Sequence, residues 1–142
     1  MKTLELAEKQ PASAGMQGVI QLPFGLLGFE RVKNYMLLAK PGEEPFMWLQ
    51  MVGESNQAFL VISPALVVPD YRPDIPDIDA EFLGLESPED AIVLTIVTLR
   101  GQKQATVNLQ GPIVINRHSL MGKQVIPNNA ANYDLRHPLP VS

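Results

Sequence analysis

Cysteine is absent from this chain of 142 residues, and aromatic residues account for only 6% of it. Without cysteine the protein forms neither a disulfide framework nor a thiolate zinc site, which agrees with a reducing compartment. Long apolar runs are absent too, because residues 58–68 and 91–99 are far shorter than the roughly 20 residues that cross a bilayer. Residues 1–15 contain no apolar core of a secretion signal. We therefore expect a cytoplasmic protein without a membrane segment.

Side chains that carry chemistry at neutral pH are also scarce. The only histidines are His118 and His137, and neither has both a carboxylate and a nucleophile beside it in the sequence. The segment from Asp77 resembles the start of a calcium loop, but Phe82 replaces the required glycine and Pro88 the required glutamate. Phosphate-binding glycine loops, GxSxG and HExxH are missing. We therefore expect no enzyme, no catalytic residues, no metal site and no cofactor.

The net charge of -4 is distributed unevenly along the chain. Residues 70–90 contain eight acids and one arginine, a local charge of -7, which leaves seven acids and ten basic residues elsewhere, or +3. Nucleic-acid affinity comes largely from Lys and Arg that displace counterions, so we expect no direct nucleic-acid binding by this stretch. The charges suit a basic partner. On charge alone, a solvated loop that keeps the protein soluble is the favoured explanation.

Short apolar segments between turn residues indicate an all-β fold. Thirteen prolines and ten glycines favour frequent turns, and we count about eight strands rich in β-branched residues. Residues 24–30 combine two glycines with large apolar side chains and predict a turn folded against the core. We expect residues 1–15 to be a loose leader and residues 16–142 to form one small β-barrel-like domain with a C-terminal tail.

One short helix is predicted within the acidic stretch. Asp77 can cap its start, and Ile78, Phe82 and Leu85 recur at helical spacing, while Gly84 suits a left-handed C-terminal position. A second helix-start signal at residues 87–90 is contradicted by the β-branched strand that follows it. The prediction is therefore one or two short helical turns in an otherwise β fold.

Residues 106–116 are the clearest β segment. Thr, Val and Ile dominate it, and Pro112 belongs at a strand start or a bulge because it has no N–H to donate. Asn108 and Asn116 are predicted to bond the backbone at its bends. The side chains expected in the core are Val107, Leu109, Ile113 and Ile115.

An ordered set of short motifs runs from Val19 to Leu139. The motifs are residues 25–30, 45–50, 69–71, 106–116, 124–126 and 133–139. In this order they resemble the flagellar assembly factor FliW family. The resemblance implies a cytoplasmic, non-enzymatic, β-barrel-like protein that binds flagellin and the carbon storage regulator CsrA, an RNA-binding translational repressor. It also implies that the two partners exchange, so that secretion of flagellin returns the factor to CsrA and relieves repression.

Two segments are candidate partner-binding sites. In the acidic stretch, negative charge near bound CsrA would repel messenger RNA without covering the RNA site. In the tail, an extended, proline-containing segment is poorly suited to the core and would dock a partner. The candidate residues are Asp70, Tyr71, Asp74, Asp77, Asp79, Glu81, Tyr133, Arg136, Pro138 and Leu139.

Two other functional classes stay open. A small-molecule-binding or catalytic barrel would place His118 or His137 near a concave site with convergent polar groups. A structural flagellar component would polymerise instead of forming exchangeable complexes.

Overall fold

A single sheet of nine strands dominates the computed structural model, which describes residues 18–53, 57–101 and 104–140. The strands are β1 (Ile20–Gln21), β2 (Asn34–Leu38), β3 (Met47–Met51), β4 (Ala58–Ile62), β5 (Ala91–Arg100), β6 (Gln104–Val107), β7 (Ile113–Asn116), β8 (Gly122–Gln124) and β9 (His137–Pro140). One α-helix, α1 (Asp77–Leu83), and the 3-10 turns Pro64–Leu66, Pro88–Asp90 and Ala130–Asn132 complete the described elements. The all-β prediction is confirmed, and the predicted leader lies outside the described residues.

The sheet is antiparallel and divides at its longest strand. Strands β1 to β5 pair in chain order. The first part of β5 pairs with β7 and its last part with β6, and these two strands lead on to β8 and β9 respectively. The β8 branch curls back to β1, where the Gln21 N–H donates to the Leu120 carbonyl at 2.9 Å. A parallel bridge between Gln21 and Met121 joins the same two edges, which gives the sheet its barrel-like shape.

Residues 106–116 form β6, a bend and β7. The Asn108 side-chain oxygen accepts the N–H groups of Gln110 at 2.9 Å and Gly111 at 3.0 Å, and so holds the bend. This confirms the predicted role of Asn108, and the four side chains expected in the core, including Leu109, are buried. They belong to two apolar clusters, one between β1–β5 and β7 and the other under β6 and β9.

Asn116 connects the end of β7 to α1. Its Nδ2 donates to the Leu83 carbonyl at 2.8 Å, and its Oδ1 accepts from His118 N–H at 2.8 Å and Ser119 N–H at 3.2 Å. The predicted backbone role is thus confirmed. The residue also donates to a carbonyl at the C-terminus of α1, where no further N–H group of the helix is available to bond it.

Helix α1 has the predicted position but a different buried face. Its N-cap is Pro76, not Asp77, and Gly84 ends it in the predicted left-handed conformation at φ 68°. Ile78 and Phe82, which set the helical spacing, are both exposed, and Asp79 and Leu83 are buried instead. The spacing therefore predicted the helix, whereas it did not identify the face that the helix buries.

The C-terminal segment is part of the sheet. Strand β9 pairs with β6 from Val107↔His137 to Gln104↔Pro140, so part of the segment that was expected to be a C-terminal tail is a strand of the sheet. Proline is compatible with a strand at a sheet edge, where a missing N–H leaves no ladder bond unmade.

Replacing Asn116 by alanine should destabilise the protein, because it leaves a buried carbonyl and two backbone N–H groups without their partner. We expect the free energy of unfolding to fall by about 1–3 kcal/mol in urea denaturation. Asn34→Ala, on the exposed start of β2, is the control and should change it by less than about 0.5 kcal/mol. Equal effects of the two substitutions would contradict this role.

Candidate partner-binding surface

The acidic connection, residues 69–90 between β4 and β5, is fastened to the segment that precedes β9. The Asn129 side chain accepts the Asp74 N–H at 2.8 Å and donates to the Arg72 carbonyl at 2.9 Å. The Asn128 N–H donates to the Asp74 carbonyl at 2.8 Å, and the Tyr133 hydroxyl accepts the Arg72 N–H at 3.0 Å. The structure therefore joins two segments that sequence reasoning treated separately.

Four of the predicted acidic residues are exposed, and one is not. Asp70, Asp74, Asp77 and Glu81 lie on the surface. Asp79 is only 6% exposed and pairs with the Lys123 ammonium group of β8. Because a buried, paired carboxylate contributes little to the potential outside the protein, Asp79 holds α1 in place and does not form part of an acidic surface.

Tyr71 is also unavailable to a partner, since only 1% of it is exposed. Its hydroxyl donates to the Leu109 carbonyl at 2.8 Å. Its ring packs edge-on against Tyr133, with the ring centroids 4.6 Å apart. Burial raises the pKa of the Tyr71 hydroxyl, and the neighbouring Tyr133 adds to the effect, so the group stays neutral. Tyr71 supports the acidic connection from beneath.

The predicted tail residues divide between surface and support. Arg136 and Pro138 are exposed, while Tyr133 and Leu139 are half-buried and pack against the apolar cluster under β6 and β9. Only Arg136 and Pro138 therefore present their side chains to a partner.

Sequence reasoning missed an apolar surface beside the acidic connection. The turn at residues 24–30 was expected to pack against the core; Leu26 is buried there and the Phe29 ring packs edge-on against Phe59, but the other large side chains point outward. Leu27 is 83% exposed, Ile78 75%, Phe24 55% and Phe82 41%. We call these four side chains the apolar patch. No local pattern in the sequence identifies this surface, because the orientation of α1 is set by the pairing of Asp79 with Lys123 of a distant strand.

A model of the family described as "FliW protein" matches residues 4–139. The chain belongs to the FliW family. Among its curated relatives, the flagellar assembly factor FliW of Leptospira biflexa is 42% identical over 120 residues, which cover 83% of this chain and 78% of that protein. The FliW of Bacillus subtilis is 34% identical, with 85% of each chain covered. A crystal structure of the flagellar assembly factor FliW superimposes with a TM-score of 0.75 at 35% identity, covering 84% of both chains.

The names of these relatives describe a role in flagellar assembly. An open groove of about 880 Å³ lies between the acidic connection and the sheet, lined largely by apolar side chains and by neither histidine. His118 instead approaches Asp90 at 3.1 Å, on the surface. Within the described ranges, no group of three or more ligating side chains is placed to hold a metal ion. None of the helices described there is long and apolar enough to cross a membrane.

Stability should depend on pH through Asp90 at the end of the acidic connection. The Asp90 carboxylate accepts the N–H groups of Glu86 and Ser87, both at 3.0 Å; these bonds, and then His118, lower its pKa below the ordinary 3.8. A lowered pKa stabilises the fold above the unfolded value and ceases to do so as the pH falls through the folded one. The melting temperatures of wild type and Asp90→Ala should therefore converge below about pH 4. A constant difference from pH 7 to pH 3 would contradict this.

Truncation after Asn132 should destabilise the protein instead of only removing a binding site. It removes β9 together with the Tyr133 contacts, and we expect the free energy of unfolding to fall by about 3 kcal/mol or more. Arg136→Ala, which removes only an exposed side chain, should be neutral to stability. Thermal unfolding followed by circular dichroism measures both, and an unchanged melting temperature after truncation would mean that β9 contributes little.

Proposed function

We propose that this FliW-family protein binds both flagellin and CsrA, the RNA-binding translational regulator, and antagonises CsrA by exchanging one partner for the other. Free flagellin captures the factor and leaves CsrA to repress, whereas secretion of flagellin returns the factor to CsrA. The exchange takes place in the cytoplasm, where messenger RNA is translated. Family membership supports the assembly role, and the acidic connection supports the antagonism.

The observation that carries the proposal is the fixed position of the exposed acids. Asp74 is held through both its N–H and its carbonyl, and α1, which carries Asp77 and Glu81, is anchored by Asp79 and Leu83. Carboxylates carried by a backbone held in this way generate a negative potential at a fixed place on the surface. At physiological salt this potential extends about 8 Å, the Debye length. Messenger RNA phosphates within that distance of bound CsrA would be repelled without direct competition for their site.

The proposed partner surface consists of exposed residues only. Asp70, Asp74, Asp77 and Glu81 supply the charge, and Arg136 and Pro138 extend the surface toward β9. Tyr71, Asp79, Tyr133 and Leu139 hold these residues in position from the interior.

Neutralising Asp77 and Glu81 should weaken RNA displacement more than CsrA binding. At low salt and matched saturation of CsrA, Asp77→Asn/Glu81→Gln should release several-fold less RNA than wild type does, because the repulsion has fallen. The affinity for CsrA should change less than about threefold, as is typical of rim charges. Fluorescence anisotropy of labelled RNA and calorimetry with CsrA measure the two quantities.

The matched control is Glu43→Gln/Glu44→Gln, which removes two exposed charges from the loop between β2 and β3. It should leave RNA displacement unchanged. If both double variants displaced RNA as wild type does, the acidic connection would have no role in the antagonism. If wild type bound neither CsrA nor flagellin in calorimetry, the exchange itself would be refuted.

A further inference from the structure

The apolar patch formed by Phe24, Leu27, Ile78 and Phe82 joins the turn at residues 24–30 to α1. The Phe24 ring from the turn lies 5.3 Å from the Phe82 ring of α1, measured between centroids. The Lys123 ammonium of β8 lies 5.1 Å from the Phe24 centroid. Single exposed apolar residues are ordinary on protein surfaces, whereas several of them grouped on adjoining elements indicate an interaction site.

The turn that displays Phe24 and Leu27 is stiff. Gly25 has φ 66°, and a Cβ at this position would come within 2.6 Å of the Glu30 Cα and the Phe29 carbonyl oxygen. The Leu27 N–H donates to the Gln124 side chain of β8 at 2.9 Å. The outward position of these apolar side chains is therefore built into the backbone. A pre-formed surface loses little conformational entropy when it binds.

Helix α1 is equally unable to turn its apolar side inward. Asp79 pairs with Lys123, the Leu83 side chain is buried, and the Leu83 carbonyl is bonded by Asn116. Rotating α1 to bury Ile78 and Phe82 would break all three contacts. The exposure of the patch is thus a property of the folded chain and not of a loosely packed helix.

The charges beside the patch indicate what covers it. Asp77 and Glu81 are one helical turn apart and adjoin Ile78 and Phe82 on the exposed side of α1. The surface therefore offers an apolar strip bordered by carboxylates. Its complement is an amphipathic segment with apolar side chains on one face and Lys or Arg beside them.

We propose that the apolar patch docks such a segment of the RNA-binding partner, with apolar anchors on Leu27 and Ile78 and basic side chains facing Asp77 and Glu81. The proposal rests on the proposed function, because RNA-binding proteins supply the required basic charge. In this arrangement the affinity for the partner comes from apolar contact. The carboxylates influence RNA and the rate at which the partner associates.

Leu27→Ser/Ile78→Ser tests the docking site, since both side chains are almost fully exposed and their loss should not disturb the fold. We expect the dissociation constant for purified CsrA to rise about tenfold or more. Leu66→Ser/Leu99→Ser, which removes two exposed apolar side chains elsewhere, should leave it within about twofold. Flagellin, titrated in parallel, reports whether the variant retains a functional surface.

The basic character of the occupant is tested by salt. The association rate of wild type with CsrA should fall as ionic strength rises, and Asp77→Asn/Glu81→Gln should lessen this dependence. A salt-independent association rate for wild type would overturn the basic occupant.

Other occupants of the patch predict different results. Coverage by residues 1–17 would make Leu27→Ser/Ile78→Ser lower the melting temperature of the free protein. Coverage by a second copy would make wild type a dimer and the variant a monomer in analytical ultracentrifugation. Either result, or equal CsrA affinity of wild type and variant, would overturn the inference. Failure of wild type to bind CsrA would overturn the proposed function as well, so the two failures are distinguishable.

Discussion

The pairing of β5 with two successive strands constrains the rest of the molecule. β6 and β7 follow one another along β5, and the bend held by Asn108 lets them diverge. The Asn108 N–H still donates to the Ile96 carbonyl at 3.0 Å, so the register continues across the bend. One branch carries β9 and the other carries Lys123. The division of the sheet at β5 therefore positions both the β9 side and the α1 side of the partner surface.

The sheet was largely predictable, because alternating and β-branched patterns report local environment directly. The position of α1 was predictable for the same reason. Its buried face was not, since it depends on Lys123, which lies 44 residues from Asp79 in the sequence. Helical periodicity groups residues into faces, but it cannot identify which face meets a charged partner from another strand.

The candidate site was predictable in charge and not in geometry. A count of acidic residues locates the acidic connection, yet Tyr71 and Asp79 are buried beneath it and do not form part of its surface. The β9 segment was misjudged because prolines suggest exclusion from a sheet, although an edge strand accepts them. The apolar patch was misjudged because large side chains beside glycines resemble a buried turn. In each case the deciding contact joins residues far apart in sequence.

The acidic surface and the apolar patch would serve a partner in different ways. Carboxylates act over about a Debye length and respond to salt, whereas apolar contacts act only at contact and depend on shape. Their proximity on α1 allows one short element to supply both effects. The ion pair of Asp79 with Lys123 fixes the orientation on which that combination depends.

The fastening of the acidic connection by Asn129 and Tyr133 has a consequence for local unfolding. The segment that holds the connection continues directly into β9, an edge strand that pairs only with β6 among the residues that the structure describes. Opening of β9 and loosening of the connection should therefore be one cooperative event, with a shared free energy for hydrogen exchange. A partner that binds the connection would then protect the amides of the last strand without touching them.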